Sequence, residues 1–89
     1  MRFDLVDLRL FLHVAEAASI TRGAERSNLA LASASERILK MEWLAVSALL
    51  ERGQRGVFLT PAGRAFVHQS RLVLQQMEHM RGELCEYAG

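Results

Sequence analysis

The chain has one cysteine, one proline and one tryptophan among its 89 residues. The single cysteine, Cys85, excludes an intrachain disulfide and a four-cysteine zinc site, which fits a reducing, cytoplasmic setting. Asp4, Asp7 and Arg9 interrupt the N-terminal apolar residues, so we expect no signal peptide. No uncharged run approaches the roughly 20 residues that cross a bilayer, so no membrane partner is expected.

Motifs for catalysis and for metal binding are also absent. The three histidines, His13, His68 and His79, show no His-x-x-x-His spacing, and there is no nucleophile elbow. The stretch 53–56, Gly-Gln-Arg-Gly, lacks the Lys-Ser or Lys-Thr pair of a phosphate-binding P-loop. We therefore expect a protein that is not an enzyme and that uses no metal ion or other cofactor.

The size of the chain and its charge distribution indicate one small domain with a basic middle. Hydrophobic residues make up 51% of the chain, enough for one modest core, and a domain of this size favours oligomers. The net charge is only +1, but residues 22–64 hold seven bases and four acids, against four bases and six acids elsewhere. This local excess of bases is a mild indication of an anionic partner.

Apolar spacing predicts four helices, of which the second and third form a helix-turn-helix unit. The expected helices cover residues 4–18, 20–27, 30 or 31–44, and 61–87. Ser19 is a suitable N-cap for the second helix, and Asn28 can end it in a left-handed conformation. Leu29 is then the expected buried residue of the turn. On the third helix, Ala34, Ile38 and Met41 are expected to face inward.

Residues 49–63 carry the signals of a β-hairpin that leads directly into the last helix. Gly53 and Gly56 permit a tight turn between the β-capable runs 49–50 and 57–59. Thr60 followed by Pro61 is typical of a helix start. Three helices and this hairpin predict a mostly α, winged helix-turn-helix fold over residues 1–60, with a linker and dimerisation helix over 61–89.

The last helix has an apolar stripe with heptad spacing. Its members are separated by 7, 4, 3, 4 and 3 residues, with Ser70 in the gap: Phe66, Val73, Met77, Met80, Leu84 and Tyr87. A body of about 60 residues cannot cover a helix roughly 40 Å long, whereas the same helix of a second copy can. We therefore predict a homodimer through this helix.

A winged helix-turn-helix predicts double-stranded DNA as the partner, with the third helix in the major groove. In the hairpin wing, Arg52 and Arg55 are expected to reach phosphates or the minor groove. The candidate contacts of the third helix are Leu31, Ala32, Ser33, Ser35, Glu36, Arg37 and Lys40. Glu36 either accepts from a cytosine amine or repels phosphate. Thr21 and Arg22, near the start of the second helix, either meet phosphate or serve only as cap and solvated surface.

Three segments resemble the LysR-type transcriptional regulators. They are residues 7–26 (DLRLFLHVAEAASITRGAER), 49–53 (LLERG) and 59–63 (LTPAG), in the family's order and spacing. The resemblance implies a bacterial, cytoplasmic, nucleoid-associated DNA-binding domain with a dimerising linker helix. In the family an effector-binding domain follows. We expect this chain to be the DNA-binding part alone, with any small-molecule effector, and any higher oligomer, depending on the missing domain.

Two segments depart from the family pattern. Residues 30–36, ALASASE, stand where the family has Ser-Gln-Pro or Ser-Gln-Ser and then an apolar residue, Ser and Arg. Leu31 takes the Gln position and Glu36 the Arg position, while Ser35 matches. Residues 41–47, MEWLAVS, stand where the family has Leu-Glu-x-x-Leu-Gly-Val. Either Ala45 and Val46 replace Leu and Gly, or the Leu-Ala-Val trio is shifted by one residue. The side chains of the family's usual DNA site are therefore altered, while the expected fold is unaffected.

The alternative from another class is a winged-helix module that associates only with proteins. The low net charge and Glu36 favour it. A second alternative is another family of winged-helix regulators. The resemblance of the LTPAG segment to the LysR-type regulators argues against this alternative. The salt dependence of DNA binding separates the first alternative from a DNA reader, because phosphate contacts make affinity fall steeply with salt.

Overall fold

The computed structural model describes residues 2–88, which form four helices and one two-stranded hairpin. In chain order these are α1 (Leu5–Ala17), α2 (Ile20–Arg26), α3 (Leu31–Ala45), β1 (Leu50–Gly53), β2 (Gly56–Leu59) and α4 (Pro61–Tyr87). Every predicted helix is present, with each end within one residue of its expected place. The strands extend further toward the turn than expected.

Side-chain caps explain where the helices begin. Asp4 is the N-cap of α1: its carboxylate accepts from the Asp7 N–H at 2.8 Å, and the Asp7 carboxylate accepts from the Asp4 N–H at 3.1 Å. This reciprocal arrangement is a capping box. Thr60 caps α4 by accepting from the Gly63 N–H at 2.9 Å, with Pro61 at the first helical position.

The core lies between α1, α2, α3 and the first turns of α4. Its buried members include Leu10, Phe11 and Val14 of α1, with Ile38 and Met41 of α3. The predicted inner face of α3 is therefore confirmed.

Close approach between α1 and α2 depends on glycine. A Cβ at Gly23 would overlap the side chain and backbone of Val14. The predicted turn after α2 is also present: Asn28 has φ of 56°, and the Leu29 N–H donates to Ala24 O at 2.9 Å. Leu29 itself is half-buried, rather than buried as expected, and packs against the core.

The wing is an antiparallel pair whose register joins Leu50 to Leu59 and Gly53 to Gly56. Gly56 has φ of 131°, a conformation that a residue with a Cβ rarely adopts. The next residue, Val57, is buried, and its N–H donates to Ala18 O at 3.1 Å. The hairpin is thus attached to the end of α1.

A carboxylate of α3 secures the start of the wing. Glu42 Oε2 accepts from the N–H of Leu49 at 2.7 Å and from that of Leu50 at 3.2 Å. The Thr60 hydroxyl donates to Ala48 O at 2.6 Å from the other end of the hairpin. The third helix and the wing are therefore held in one relative position.

Helix α4 begins in the body and then leaves it. Gly63, Val67 and Ser70 are buried, whereas residues 75–88 are exposed throughout. The molecule is consequently elongated, with principal extents of 52, 25 and 20 Å. Within residues 2–88, no helix combines the length and the apolar character needed to cross a membrane.

The end of α3 has a left-handed backbone within the segment 41–47. Val46 is the C-cap, with φ of 52° and ψ of 35°, and its N–H donates to Trp43 O at 3.2 Å. Glycine is the residue that suits a left-handed helix end. This backbone favours the alignment in which Ala45 and Val46 replace Leu and Gly, and that alignment stays a prediction.

Replacing Val46 by glycine should stabilise the fold. A β-branched residue is strained at positive φ, and the Val46 side chain is 88% exposed, so little packing is lost. We expect Val46→Gly to raise the free energy of unfolding by about 1 kcal/mol, measured by urea denaturation.

Val46→Ala keeps a Cβ and should give a smaller gain. Ser47→Gly is the matched control at an exposed neighbour that is not among the positive-φ residues of the described chain. A Val46→Gly protein no more stable than the parent would show that this helix end is not strained.

Candidate nucleic-acid interface

The outward face of α3 is broad and exposed. Ala34, Ile38 and Met41 point into the core, and the opposite side of the helix faces solvent. The exposed residues are Leu31, Ala32, Ser33, Glu36, Leu39, Lys40 and Trp43. The structure thus brings five predicted contact residues to one accessible surface. Ser35, also predicted, lies half-buried at the edge of that surface.

Arg37, a predicted DNA contact, also takes part in an ion pair within the chain. Its Nη1 donates to Asp7 Oδ1 at 2.9 Å and lies 3.4 Å from both Asp4 carboxylate oxygens. The Asp7 side chain is only 8% exposed. The cation of Arg37 is therefore paired with the capping box of α1 in the chain alone, and its contact with DNA stays a prediction.

Charge effects within this cluster agree with the geometry. The Asp7 backbone N–H and the Arg37 guanidinium lower the pKa of Asp4 below its ordinary value. The Asp7 carboxylate, as the main cause, raises the pKa of Arg37. Both shifts favour the charged forms of Asp4 and Arg37. The cluster joins the middle of α3 to the start of α1.

The wing presents two exposed cations. Arg52 lies on β1 opposite Val57, and Arg55 lies in the turn between Gly53 and Gly56. Both are exposed, and neither takes part in an ion pair within residues 2–88. Their charges are available to an anionic partner.

At the start of α2, two side chains are exposed and the N-cap hydrogen bond is already formed within the chain. Ser19 Oγ accepts from the Arg22 N–H at 3.1 Å, so that backbone donor is already satisfied. The Thr21 and Arg22 side chains are exposed. At the other end of the helix, His13 Nδ1 lies 2.8 Å from Ser27 Oγ, which joins α1 to the end of α2.

The predicted dimer stripe on α4 divides into two parts. Phe66 packs within its own chain: its ring centroid is 5.1 Å from that of Phe3 and 4.8 Å from that of Phe11, both edge-on. The expectation that the stripe has no cover within one chain is therefore wrong at Phe66 and at the buried Ser70. The remaining members are exposed: Val73, Met77, Met80, Leu84 and Tyr87.

The part of the chain that the structure describes contains no cluster of three His, Cys, Asp or Glu side chains able to hold a metal ion. Cys85 is a free, exposed thiol on α4.

Comparison with known proteins identifies the family. The model of the bacterial regulatory helix-turn-helix proteins of the lysR family matches residues 5–64. The chain belongs to this family. The LysR match covers α1, α2, α3, the wing and the first turn of α4, and confirms the resemblance noted in the sequence.

LysR relatives in the curated collection are transcriptional regulators rather than enzymes. The chain is 42% identical over 81 residues to the transcriptional activator AllS of Klebsiella pneumoniae, covering 91% of this chain and 30% of that protein. It is 36% identical over 78 residues to the hca operon activator HcaR of Escherichia coli strain K12, covering 88% of this chain and 26% of that protein. The chain thus spans less than a third of the length of these relatives.

Solved structures of LysR DNA-binding domains share the fold. The BenM domain in complex with catB site 1 DNA superposes with a TM-score of 0.90 at 31% identity, covering 98% of each chain. The CbnR domain in complex with DNA gives a TM-score of 0.89 at 28% identity, covering 98% of this chain and all of that one. The predicted winged helix-turn-helix with a long last helix is confirmed.

Sequence reasoning missed two residues of the outward face, Leu39 and Trp43. Their side chains are 62% and 79% exposed. The signal was present in the spacing, since Trp43 follows Glu36 by seven residues and Ala32 by eleven, which places all three on one side of a helix.

Removing Arg37 should reduce stability because it leaves the buried Asp7 carboxylate unpaired. We expect Arg37→Ala to lower the free energy of unfolding by roughly 1–3 kcal/mol, measured by urea denaturation. Arg37→Ala combined with Asp7→Asn should recover part of the loss, because an amide costs less to bury than an unpaired charge.

Lys40→Ala is the matched control, since Lys40 is an exposed cation of the same helix outside the ion pairs of residues 2–88. It should change stability by less than about 0.5 kcal/mol. Equal effects of the two substitutions would contradict the assignment of Arg37 to this cluster.

Proposed function

We propose that the chain is the sequence-specific DNA-binding domain of a bacterial LysR-type transcriptional regulator, acting on the cytoplasmic nucleoid. The observation that carries this is the exposed outward face of α3 in a chain whose wing has two exposed arginines, neither of them in an ion pair within residues 2–88. The DNA complexes of the similar BenM and CbnR domains support it. Any effector site and any higher oligomer would belong to the rest of a longer regulator.

In this proposal α3 enters the major groove. The groove is about 12 Å wide and admits a helix with its side chains, which is roughly 10–12 Å across. Ser33 and Glu36 then face base edges, with Ser35 at the margin. Leu31 and Ala32 offer apolar contact to thymine methyl groups. Because Leu31 cannot hydrogen-bond, readout at that position is apolar.

The wing and the start of α2 contact the backbone in this proposal. Arg52 and Arg55 approach phosphates or the adjacent minor groove, and Thr21 and Arg22 approach phosphate from the other side of α3. These contacts position the domain and are insensitive to sequence. The predicted contact of Arg37 with DNA then requires its ion pair with Asp7 to open.

We further propose a homodimer through the distal part of α4. The exposed members of its stripe are apolar, and beside Val73 they continue into an apolar groove of about 560 Å³ that includes Leu5, Leu8 and Phe66. A second copy of α4 has the same apolar stripe to offer. Two-fold symmetry then requires a roughly palindromic DNA site.

A protein-interaction module is the second candidate function. The observation in its favour is the exposed apolar group of Leu39, Trp43 and Val46, together with the acidic Glu36 on the same helix. Such a module would bind DNA weakly or without sequence preference.

Selection of duplexes from a random pool tests the main proposal. We expect a roughly palindromic sequence to be enriched and its affinity to fall steeply with salt. Arg55→Ala should weaken binding to all sequences alike and reduce the salt slope by about one. Arg71→Ala, an exposed arginine on α4, is the matched control and should leave the slope unchanged.

In the same assay, Glu36→Ala distinguishes two roles of Glu36, the recognition of a cytosine and the repulsion of phosphate. If Glu36 accepts from a cytosine amine, preference relaxes at one base pair, worth about 1–3 kcal/mol. If it only repels phosphate, every sequence is bound more tightly. An unenriched pool without salt-dependent binding would favour the protein-interaction module.

Acidic substitutions in the α4 stripe should break the dimer. Met77→Asp and Leu84→Asp place a charge in an apolar interface, and we expect monomers with a lower midpoint of thermal unfolding, measured by sedimentation and circular dichroism. Leu72→Asp is the control, because Leu72 is exposed on a different side of α4. A parent protein that sediments as a monomer at micromolar concentration would contradict the proposed dimer. Variants that remain dimeric would place the interface elsewhere.

A further inference from the structure

The C-terminal half of α3 and its cap carry a contiguous apolar surface, the Trp43 patch, formed by Leu39, Trp43 and Val46. Their exposed fractions are 62%, 79% and 88%. Leu39 and Trp43 are four residues apart and so are neighbours on the helix surface. Large apolar side chains exposed together usually mark an interaction surface. The DNA contacts assigned above do not use this patch.

The patch continues the proposed reading face of α3. At ~1.5 Å per residue the helix is roughly 22 Å long, whereas the major groove is about 12 Å wide. Recognition helices contact base edges with their N-terminal residues. The groove therefore accommodates the part from Leu31 to about Ile38, and the part around Trp43 lies beyond it, where the sugar–phosphate backbone forms the groove wall.

The polar groups around Trp43 fit a phosphate. Lys40 precedes it by three residues and is an exposed cation outside the ion pairs of the described residues. The acid next to Trp43 in the chain, Glu42, accepts from the N–H groups of Leu49 and Leu50. The indole Nε1–H is a donor only, and phosphate oxygens are acceptors only. This chemistry favours DNA over an apolar protein partner.

We propose that Trp43 contacts the DNA backbone at the edge of the major groove, donating its Nε1–H to a phosphate, with Lys40 supplying charge and Leu39 packing against the sugar. The inference rests on the proposed DNA-binding function and adds a contact that is independent of sequence. Trp43 then fixes how far α3 enters the groove, so it positions the residues that read bases.

Trp43 provides its own probe, because it is the only tryptophan of the chain. The full chain is titrated with the selected duplex and with an unrelated duplex of equal length, while tryptophan emission and quenching by acrylamide are followed. We expect protection from acrylamide with both duplexes, at the same midpoint as the fluorescence anisotropy of a labelled duplex.

Variants test the contact energetically. Trp43→Ala should weaken binding about tenfold on both duplexes, as expected for a lost hydrogen bond to a charged group. Trp43→Phe keeps an aromatic ring but not the donor and should lose less. Leu39→Ala should also weaken binding, whereas Leu72→Ala, an exposed leucine on α4, should not. Circular dichroism checks that each variant folds.

The outcomes separate this inference from the function on which it rests. Normal DNA binding with Trp43 still open to acrylamide, or with Trp43→Ala at parental affinity, would overturn the contact and leave the DNA-binding function standing. Protection that develops with protein concentration in the absence of DNA would assign the patch to a second copy of the chain instead. Failure to bind any duplex would overturn both.

Discussion

The carboxylate of Glu42 is the interaction on which the proposed DNA-binding surface most depends. It belongs to α3, yet it holds the N–H groups of Leu49 and Leu50 at the entrance to the wing. Without an acceptor there, two backbone donors next to the buried Leu49 side chain would lose their partner, at a cost of roughly 1–3 kcal/mol each. Glu42 therefore fixes the entrance to the wing relative to α3, while the Val57 N–H bond to Ala18 O fixes the second strand relative to α1.

A second polar connection orients α3 from its other side. Arg37 joins it to the capping box of α1, while Ala34, Ile38 and Met41 pack into the core. The helix is thus fixed by a carboxylate near its C-terminal end, an ion pair at its middle and an apolar face along its length. Precise placement of the outward side chains follows from these three constraints together.

Most of the fold could be predicted from the sequence, because local signals determine where the helices and strands begin and end. Ser19, the Thr60-Pro61 pair and the glycines of the hairpin mark element boundaries through their own chemistry. The site was harder to predict. Arg37 pairs with Asp7, 30 residues earlier in the chain, and Phe66 packs on Phe3 and Phe11; helical spacing cannot reveal such contacts. The left-handed conformation of Val46 likewise follows only from the backbone angles at the end of α3.

In the proposed dimer, the order of the exposed distal part of α4 depends on the concentration of the protein. Beyond residue 74, no residue of this helix up to 88 is buried against the body. An isolated helix of this length is marginal in water, and most helical stability in proteins comes from packing. In the proposed dimer, the distal part of α4 sets the distance between the two DNA-binding bodies. It becomes well ordered only when the α4 of another copy covers it. At protein concentrations below the dissociation constant of the proposed dimer, the distal part of α4 therefore loses its order while the DNA-binding body remains folded. The spacing between two half-sites is then no longer fixed by this helix.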